Sequence, residues 1–414
     1  PTPTGVVPLE FWQFGGAASE HKWFQEKGVD EFNAKHPNIK VTRTEKSWMT
    51  KYEDLFSAFQ AGVAPDVITN DATMVPDYVA MDMYVKLDKE FPEVNTWKDR
   101  FVPECWEKSG GLYQGDLYAI PVWTDDYNVL YCNKDMFKEA GLVDSKGNPT
   151  PPKTWDEWIE YAKLLNDPPN HYALHHAIVY AEYPDADNLQ ALMYLNGARW
   201  HSEDMETIVI NDQGAIDTVQ FIKDTFDKYK VTSPSLLDID YMKQCEMYFA
   251  KKLAMVYTCS PYMLVAQSLG YKEWMDPETT PMWIAPMPKP SPVTGSYPSA
   301  SLLIGALWGI SMMSSTKHKA EAFEFVKWLA SNEFLMGFDG SQVLGRMPSV
   351  KAAYSSPTIK NSYPGLYQTN AFGPDGSLWF KDAVCMPSFH GLLEMKRVLI
   401  PEVQAAVLGK KTAK

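Results

Sequence analysis

Residues 51–69, KYEDLFSAFQAGVAPDVIT, decide the fold, because they spell an amphipathic helix, its stop and a buried strand in direct succession. Tyr52, Leu55, Phe56 and Phe59 recur at i, i+3, i+4 and i+7, the spacing that gathers side chains on one face of a helix. Gly62 stands where a left-handed C-terminal cap is expected, and Pro65-Asp66 leads into a short strand, Val67 to Thr69. Upstream the same alternation has already run once. Leu9 to Phe14 is an apolar run closed by Gly15-Gly16, a helical segment follows from about Ser19 to Lys35, and Pro37 stops it. Ile39, Val41 and Arg43 then alternate with polar residues as a half-buried strand. Strand, helix, strand, helix, strand predicts a mainly parallel sheet with helices on its faces. Ligands of open sheets bind beyond the carboxyl ends of the strands, which here points to Trp12 to Gly16, Lys46 to Met49 and Asn70 to Thr73.

The pattern continues downstream. Leu117 to Cys132 is a second apolar stretch, broken by Pro121 and by Thr124-Asp125-Asp126. After Pro151-Pro152, Thr154 and Glu157 form a capping box, and Trp155, Trp158, Ile159, Ala162 and Leu165 make the buried stripe of the helix it opens. A helix from about Gly214 puts Ala215, Val219, Ile222 and Phe226 on one face. A proline-rich connection, Ile284 to Pro298, precedes an apolar strand, Leu302 to Ile310, and a helix carrying Phe323, Val326 and Trp328.

At 414 residues the chain exceeds the size at which a single core stops growing, so two lobes are expected. Its apolar fraction of 45% and charged fraction of 22% are ordinary for a globular protein. No apolar run approaches the roughly 18 to 20 residues of a membrane helix. A formal net charge of -14 and scattered lysines disfavour nucleic acid as a partner. Aromatic residues reach 13%, and several sit beside turn residues rather than in helical stripes. Cys105, Cys132, Cys245, Cys259 and Cys385 show no CxxC pair and no metal-type spacing, and an odd count leaves at least one free thiol. The opening Pro1-Thr2-Pro3-Thr4-Gly5 has the composition of a flexible tether left after removal of a targeting segment.

The order Trp12…Phe32…His36-Pro37…Ile39-Lys40-Val41…Tyr52…Ala61-Gly62-Val63-Ala64-Pro65-Asp66-Val67 resembles the N-terminal lobe of family 1 extracellular solute-binding proteins, the group that contains maltodextrin-binding protein. The likeness continues through Leu117-Tyr118-Ala119-Ile120-Pro121, Leu130-Tyr131-Cys132-Asn133-Lys134-Asp135-Met136-Phe137 and Pro152-Lys153-Thr154-Trp155-Asp156-Glu157. It extends to Phe249 to Met255, to Ala285-Pro286-Met287-Pro288 at a hinge crossing, to Gly345-Arg346-Met347-Pro348 at a late binding loop, and to Val407 to Lys411 as a C-terminal helix. Where the family has Tyr-Asn-Lys, this chain has Tyr131-Cys132-Asn133-Lys134, a departure of one residue. The resemblance implies an α/β, periplasmic-binding-protein-like fold: two α/β lobes with central, mainly parallel sheets, joined by hinge crossings. It places residues 1–121 and 287–336 in an N-lobe, and 122–286 and 337–414 in a C-lobe, with the ligand cleft between them. It implies a monomer outside the cytoplasm, periplasmic or lipid-anchored, which hands a sugar or oligosaccharide to the permease subunits of an ABC importer without cofactor, metal or catalytic residue.

A sugar site needs aromatic faces for the C–H side of a pyranose and polar groups for its hydroxyls. One stacked ring is worth about 1 to 2.5 kcal/mol and each hydrogen bond about 1 kcal/mol, so a few of each reach the roughly 8 kcal/mol of a micromolar ligand. The candidates in the N-terminal third are Trp12 and Gln13 after the first strand, Trp48 before the second helix, and Asn70 and Asp71 after the third strand. For these the ordinary alternatives are core packing, a hydrophobic staple and helix capping. Trp123 with Asp125 and Asp126 falls at the first crossing, where the resemblance implies a hydroxyl-binding carboxylate, Asp125 ahead of its neighbour. The resemblance also implies Tyr262 as a stacking ring, Tyr183 and Asp187 in a ligand-facing loop, and His390 at a position where maltodextrin-binding protein stacks a Trp. Trp308 is a further candidate, with burial in its strand as the stronger alternative; Arg346 could serve a hydroxyl, an acidic group or a plain salt bridge.

Two other classes compete. A glycan-active enzyme would use paired carboxylates about 5 to 10 Å apart, yet Asp125 and Asp126 are adjacent, and extended backbone points neighbours to opposite sides. No GxSxG, HExxH, P-loop or dinucleotide fingerprint is present. The same fold also serves sensory modules. Among ligands, polyols, glycerophosphodiesters and anionic sugars stand behind neutral glycans, because arginine is confined to Arg43, Arg100, Arg199, Arg346 and Arg397.

Overall fold

The computed structural model describes residues 5–16, 18–47, 50–71, 74–107, 111–126, 129–179, 185–202, 207–258, 265–266, 268–274, 279–301, 303–340, 346–357, 371–385, 389 and 391–414. Its strands are β1 (Val7–Phe14), β2 (Ile39–Lys46), β3 (Val67–Asp71), β4 (Leu112–Tyr113), β5 (Asp116–Leu117), β6 (Ile120–Asp126), β7 (Val129–Asn133), β8 (Met255–Thr258), β9 (Met282–Pro286), β10 (Leu303–Met312), β11 (Met347–Pro348) and β12 (Val384–Cys385). The larger sheet has the order β11-β6-β10-β3-β1-β2, with β12 beside β10. β1 pairs in parallel with β2 and with β3. β10 runs antiparallel to both β3 and β6, which makes β6 codirectional with β3. A second sheet, β8-β7-β9, is antiparallel throughout. The larger one is mixed, parallel through β1, β2 and β3 and antiparallel on both sides of β10 with β3 and β6, so the expectation of mainly parallel sheets holds only for its β1-β2-β3 part.

Only two residues separate the end of β6 from the start of β7, so the chain passes directly from the larger sheet to the second. One face of the larger sheet packs Phe11, Val67 and Ile310 against Phe24, Phe32, Phe325 and Val326. The other packs Trp12, Phe14 and Ile68 against Leu55, Tyr78 and Tyr84. The second sheet has a core of its own, in which Tyr131, Val256 and Ile284 meet Trp158, Leu192, Ile222 and Ile400.

Local chemistry explains the boundaries. The helix Lys51–Gln60 ends in a Schellman motif: Gly62 donates to Phe59 O at 3.0 Å and Val63 to Ala58 O at 2.9 Å. Gly62 sits at φ 71 with nothing near its missing Cβ, so only backbone strain opposes a side chain there. Gly62→Ala should cost about 1 kcal/mol in urea denaturation, and an unchanged midpoint would refute that. The Thr154 cap forms as expected, its Oγ1 accepting from Glu157 N at 3.1 Å, while Glu157 reaches Lys153 N rather than Thr154 N, at 2.6 Å. Beside the extra Cys132, the Asn133 of the Tyr-Asn-Lys pattern caps the helix Lys134–Glu139, accepting from Asp135 N and Met136 N.

Two expectations need correction. The buried residues of Lys51–Gln60 are Lys51, Leu55 and Ala58, and Phe56 is 42% exposed, so the helix is rolled from the apolar stripe. The C-terminal helix is Leu392–Val407, and Val407 is its last residue rather than its first.

Candidate ligand-binding edge of the larger sheet

β1, β2, β3 and β6 all end at the same edge of the larger sheet, the edge from which β7 departs. Across it the register sets Asp71 opposite Trp308, Trp308 opposite Trp123, and Trp123 opposite Pro348. The two indoles stack, with ring centroids 5.3 Å apart and 22° between planes. Both are buried, Trp123 in β6 and Trp308 in the neighbouring β10, and they belong to the apolar core beneath the edge. Burial was the stronger reading of Trp308 in the sequence.

Arg346 lies just before β11, and its guanidinium carbon sits 4.9 Å from the Trp308 ring centroid and 5.4 Å from that of Trp123. Its Nε donates to Oε1 of Glu20 at 2.5 Å; the Glu20 side chain is 1% exposed and that of Arg346 9%. Glu20 arrives through the turn Gly15-Gly16. Gly16 sits at φ 114, where a side chain is strained, and a Cβ would make tight contacts at 3.0 Å from Glu20 Oε2 and 3.2 Å from Gln13 Nε2. Gln13 is itself buried, and its Oε1 accepts from Arg43 at 2.6 Å. Arg43 also donates to Gln25 and Glu45, and that hydrogen bond holds the Glu45 carboxyl below its ordinary value.

Trp12 is buried edge-on against Phe14, and the Lys46 ammonium lies 3.9 Å from its ring centroid. Asn70 donates to Ser311 Oγ at 2.9 Å and accepts from the Tyr84 hydroxyl at 3.3 Å. Asp71 pairs with Lys51 at 3.1 Å, their side chains 1% and 10% exposed. The helix Val75–Ala80 has Met74 at its N-cap position, and residues 72 and 73, which follow Asp71, lie outside the described residues.

Asp187 is a correction. It lies inside the helix Asp185–Leu195 rather than in the expected ligand-facing loop, is 1% exposed, and pairs with the buried ammonium of Lys396. Asp125 and Asp126 are placed by their backbone in β6. Trp48, Tyr183, Tyr262 and His390 fall outside the described residues. Thus Trp12, Gln13, Asn70, Asp71, Trp123, Trp308 and Arg346 share one end of the larger sheet, and Asp187 does not join them. Sequence reasoning missed Glu20, Lys51 and Lys396, while Lys46 opens the stretch Lys46 to Met49 to which the strand-end rule pointed. For Lys51 a signal existed, since Lys51, Leu55 and Ala58 are themselves spaced i, i+4, i+7; a charged residue at the head of that row weighed against it. Among the described residues no three His, Cys, Asp or Glu side chains gather as metal ligands, and no helix is long and apolar enough to cross a membrane.

A mixed sheet whose codirectional strands β1, β2, β3 and β6 end in aromatic, amide and carboxylate side chains, followed directly by a second sheet, defines an α/β protein of the solute-binding class. The chain belongs to the bacterial extracellular solute-binding proteins, whose family model matches residues 17–334. Solved structures agree on the fold. An ABC transporter solute-binding protein from Thermotoga lettingae, bound with α-D-tagatose, superposes with a TM-score of 0.75 at 20% identity, covering 98% of this chain and 96% of that one. Maltose-bound MalE3 of T. maritima gives 0.74 at 21% identity over the same shares. In sequence, the sn-glycerol-3-phosphate-binding periplasmic protein UgpB of Pectobacterium atrosepticum is 24% identical over 401 residues, 93% of this chain and 83% of that protein. UgpB of Escherichia coli K12 is 32% identical over 148 residues, 33% of this chain and 31% of its own length.

Proposed function

We propose that this protein is the substrate-binding component of an ABC importer for carbohydrate, taking a sugar or oligosaccharide between two lobes. One lobe takes residues 1–121 and 287–336 and the other most of 122–286 and 337–414, with the end of β6 and with β11 staying on the larger sheet of the first, and the hinge closes around the ligand. The observation that carries the reading is the composition of the sheet edge: Trp12, Trp123 and Trp308 stand among Asn70, Asp71 and a charge-compensated Arg346. Tyr183, Tyr262 and His390 supply the facing wall, and Asp125 and Asp126 the crossing. Sugar-bound proteins of the same fold support the ligand class. The protein works as a monomer outside the cytoplasm, in the periplasm or anchored by lipid, delivers to permease subunits, and returns its ligand chemically unchanged.

A second reading, capture of a glycerol phosphate or an anionic sugar, draws on the UgpB relatives. Its cation would be Arg346, which already carries a carboxylate. A thermal-shift panel of neutral mono- and oligosaccharides, ribitol and sn-glycerol 3-phosphate separates the two. A ligand at 100 times its Kd adds about 2.7 kcal/mol, which raises Tm by about 3 °C for a chain of this size. A neutral sugar should produce that shift and be recovered intact. A shift with sn-glycerol 3-phosphate alone would replace the carbohydrate reading, and conversion of the sugar would replace the binding-protein reading.

A further inference from the structure

The cations described at the sheet edge come with partners already in place. Arg346 is bound to Glu20, Lys51 to Asp71, Arg43 to Glu45, and Lys46 lies over the Trp12 ring. The Arg346–Glu20 pair is the most deeply set of these beside the stacked indoles. Its acid is held from two sides: by the guanidinium, and by a turn, left-handed at Gly16, that brings the backbone close enough for even a Cβ to be in tight contact with Glu20 and Gln13. Glu20 is therefore a fixed counter-charge, built into the first turn after β1, and not a surface carboxylate that happens to reach an arginine.

From this we infer that Glu20 determines ligand specificity, by cancelling the charge of Arg346 so that the edge accepts uncharged polyhydroxyl ligands and turns away phosphorylated ones. The inference rests on the proposed placement of the ligand at this edge. An anion approaching Arg346 meets the buried Glu20 carboxylate at the same guanidinium, and like charges that close cost affinity. A neutral hydroxyl meets no such penalty. Glu20 acts through Arg346 and is a positioning residue in that sense. Its removal should change which ligand is preferred, and not merely weaken every ligand alike.

The test is isothermal titration calorimetry of the full chain and of Glu20→Gln with sn-glycerol 3-phosphate, inorganic phosphate and glycerol as probes. Glutamine keeps an oxygen for the Arg346 Nε while removing the charge. The variant should bind sn-glycerol 3-phosphate at least roughly tenfold more tightly than the unmodified chain. Glycerol affinity should stay unchanged, and the gain should vanish in Glu20→Gln/Arg346→Gln. A folded Glu20→Gln with no gain for either phosphate overturns the inference. Should that variant not fold, Glu20→Asp replaces it: the shorter arm withdraws the carboxylate from the guanidinium, and a smaller gain for the same probes is expected, its absence again being contrary. Tight binding of sn-glycerol 3-phosphate by the unmodified chain, lost in Arg346→Gln, overturns it without any Glu20 variant. An unmodified chain that binds no sugar of the thermal panel counts against the carbohydrate reading alone, because the gain in phosphate affinity is measured independently of it.

Discussion

Lowering the pH from 7 to 4.5 should remove about 5 kcal/mol of folding stability through two histidines. His175 and His176 are wholly buried in the core of the second sheet. His175 Nε2 faces the Ile239 carbonyl at 2.9 Å, so the proton of the neutral ring sits on that nitrogen. For His176 the neighbours fix the tautomer. Thr225 Oγ1 donates to Ile222 O at 2.7 Å and must therefore accept from His176 Nε2 at 3.0 Å. His176 Nδ1 is left to accept from the Tyr257 hydroxyl at 2.9 Å. A second proton would press an N–H against that O–H, inside a cage formed by Trp158, Phe221 and Tyr257. Burial pushes His175 down to about 4, and burial together with the charge of its neighbour pushes His176 to about 3.

The sign follows from linkage. Unfolded histidine takes up its proton near pH 6.5, whereas the folded rings stay neutral until about 4 and 3. Stability is thus whole well above pH 6.5 and is lost as pH falls toward the folded values, each ring costing about 2.5 kcal/mol by pH 4.5. Urea denaturation at steps between pH 7 and 4.5 measures the slope. A free energy that stays level over that range would contradict the assignment, and His176→Gln should roughly halve the slope.

Lys396→Ala should destabilise the protein by about 3–5 kcal/mol, because it leaves the Asp187 carboxylate charged and alone in the interior. Asp187 is 1% exposed in the helix Asp185–Leu195, and Lys396, 7% exposed, reaches it from the C-terminal helix Leu392–Val407. Breaking one partner is costly where replacing both is not, so Asp187→Leu/Lys396→Met should recover most of the loss. Urea denaturation at pH 7 reads both. A loss under about 1 kcal/mol for Lys396→Ala would mean that the pair is solvated and open to ligand after all.

Much of the fold could be read from the chain because it is written locally. A glycine after an apolar row, a Thr-x-x-Glu after prolines and a Pro-Asp before β-branched residues each act within one or two turns, and all appear where expected. The parallel arrangement of β1, β2 and β3 followed from their order, and so did the edge at which candidate side chains would meet. What escaped was set by distant partners. Arg346 and Glu20 are 326 positions apart, and Lys396 and Asp187 are 209 apart. No periodicity links such residues. Lys51 escaped for a related reason: a buried lysine is explicable only by Asp71, and Phe56 took its place in an apolar row that the folded helix rolls away from the core. Pro401 lies inside the final helix, a residue that argues against helix when read alone.

Small-angle X-ray scattering of the protein, free and saturated with the sugar selected by the thermal panel, tests capture between closing lobes most directly. A smaller radius of gyration on saturation at one ligand per chain is the predicted result. A bound ligand that leaves the radius unchanged, or a saturating ratio other than one, would contradict it.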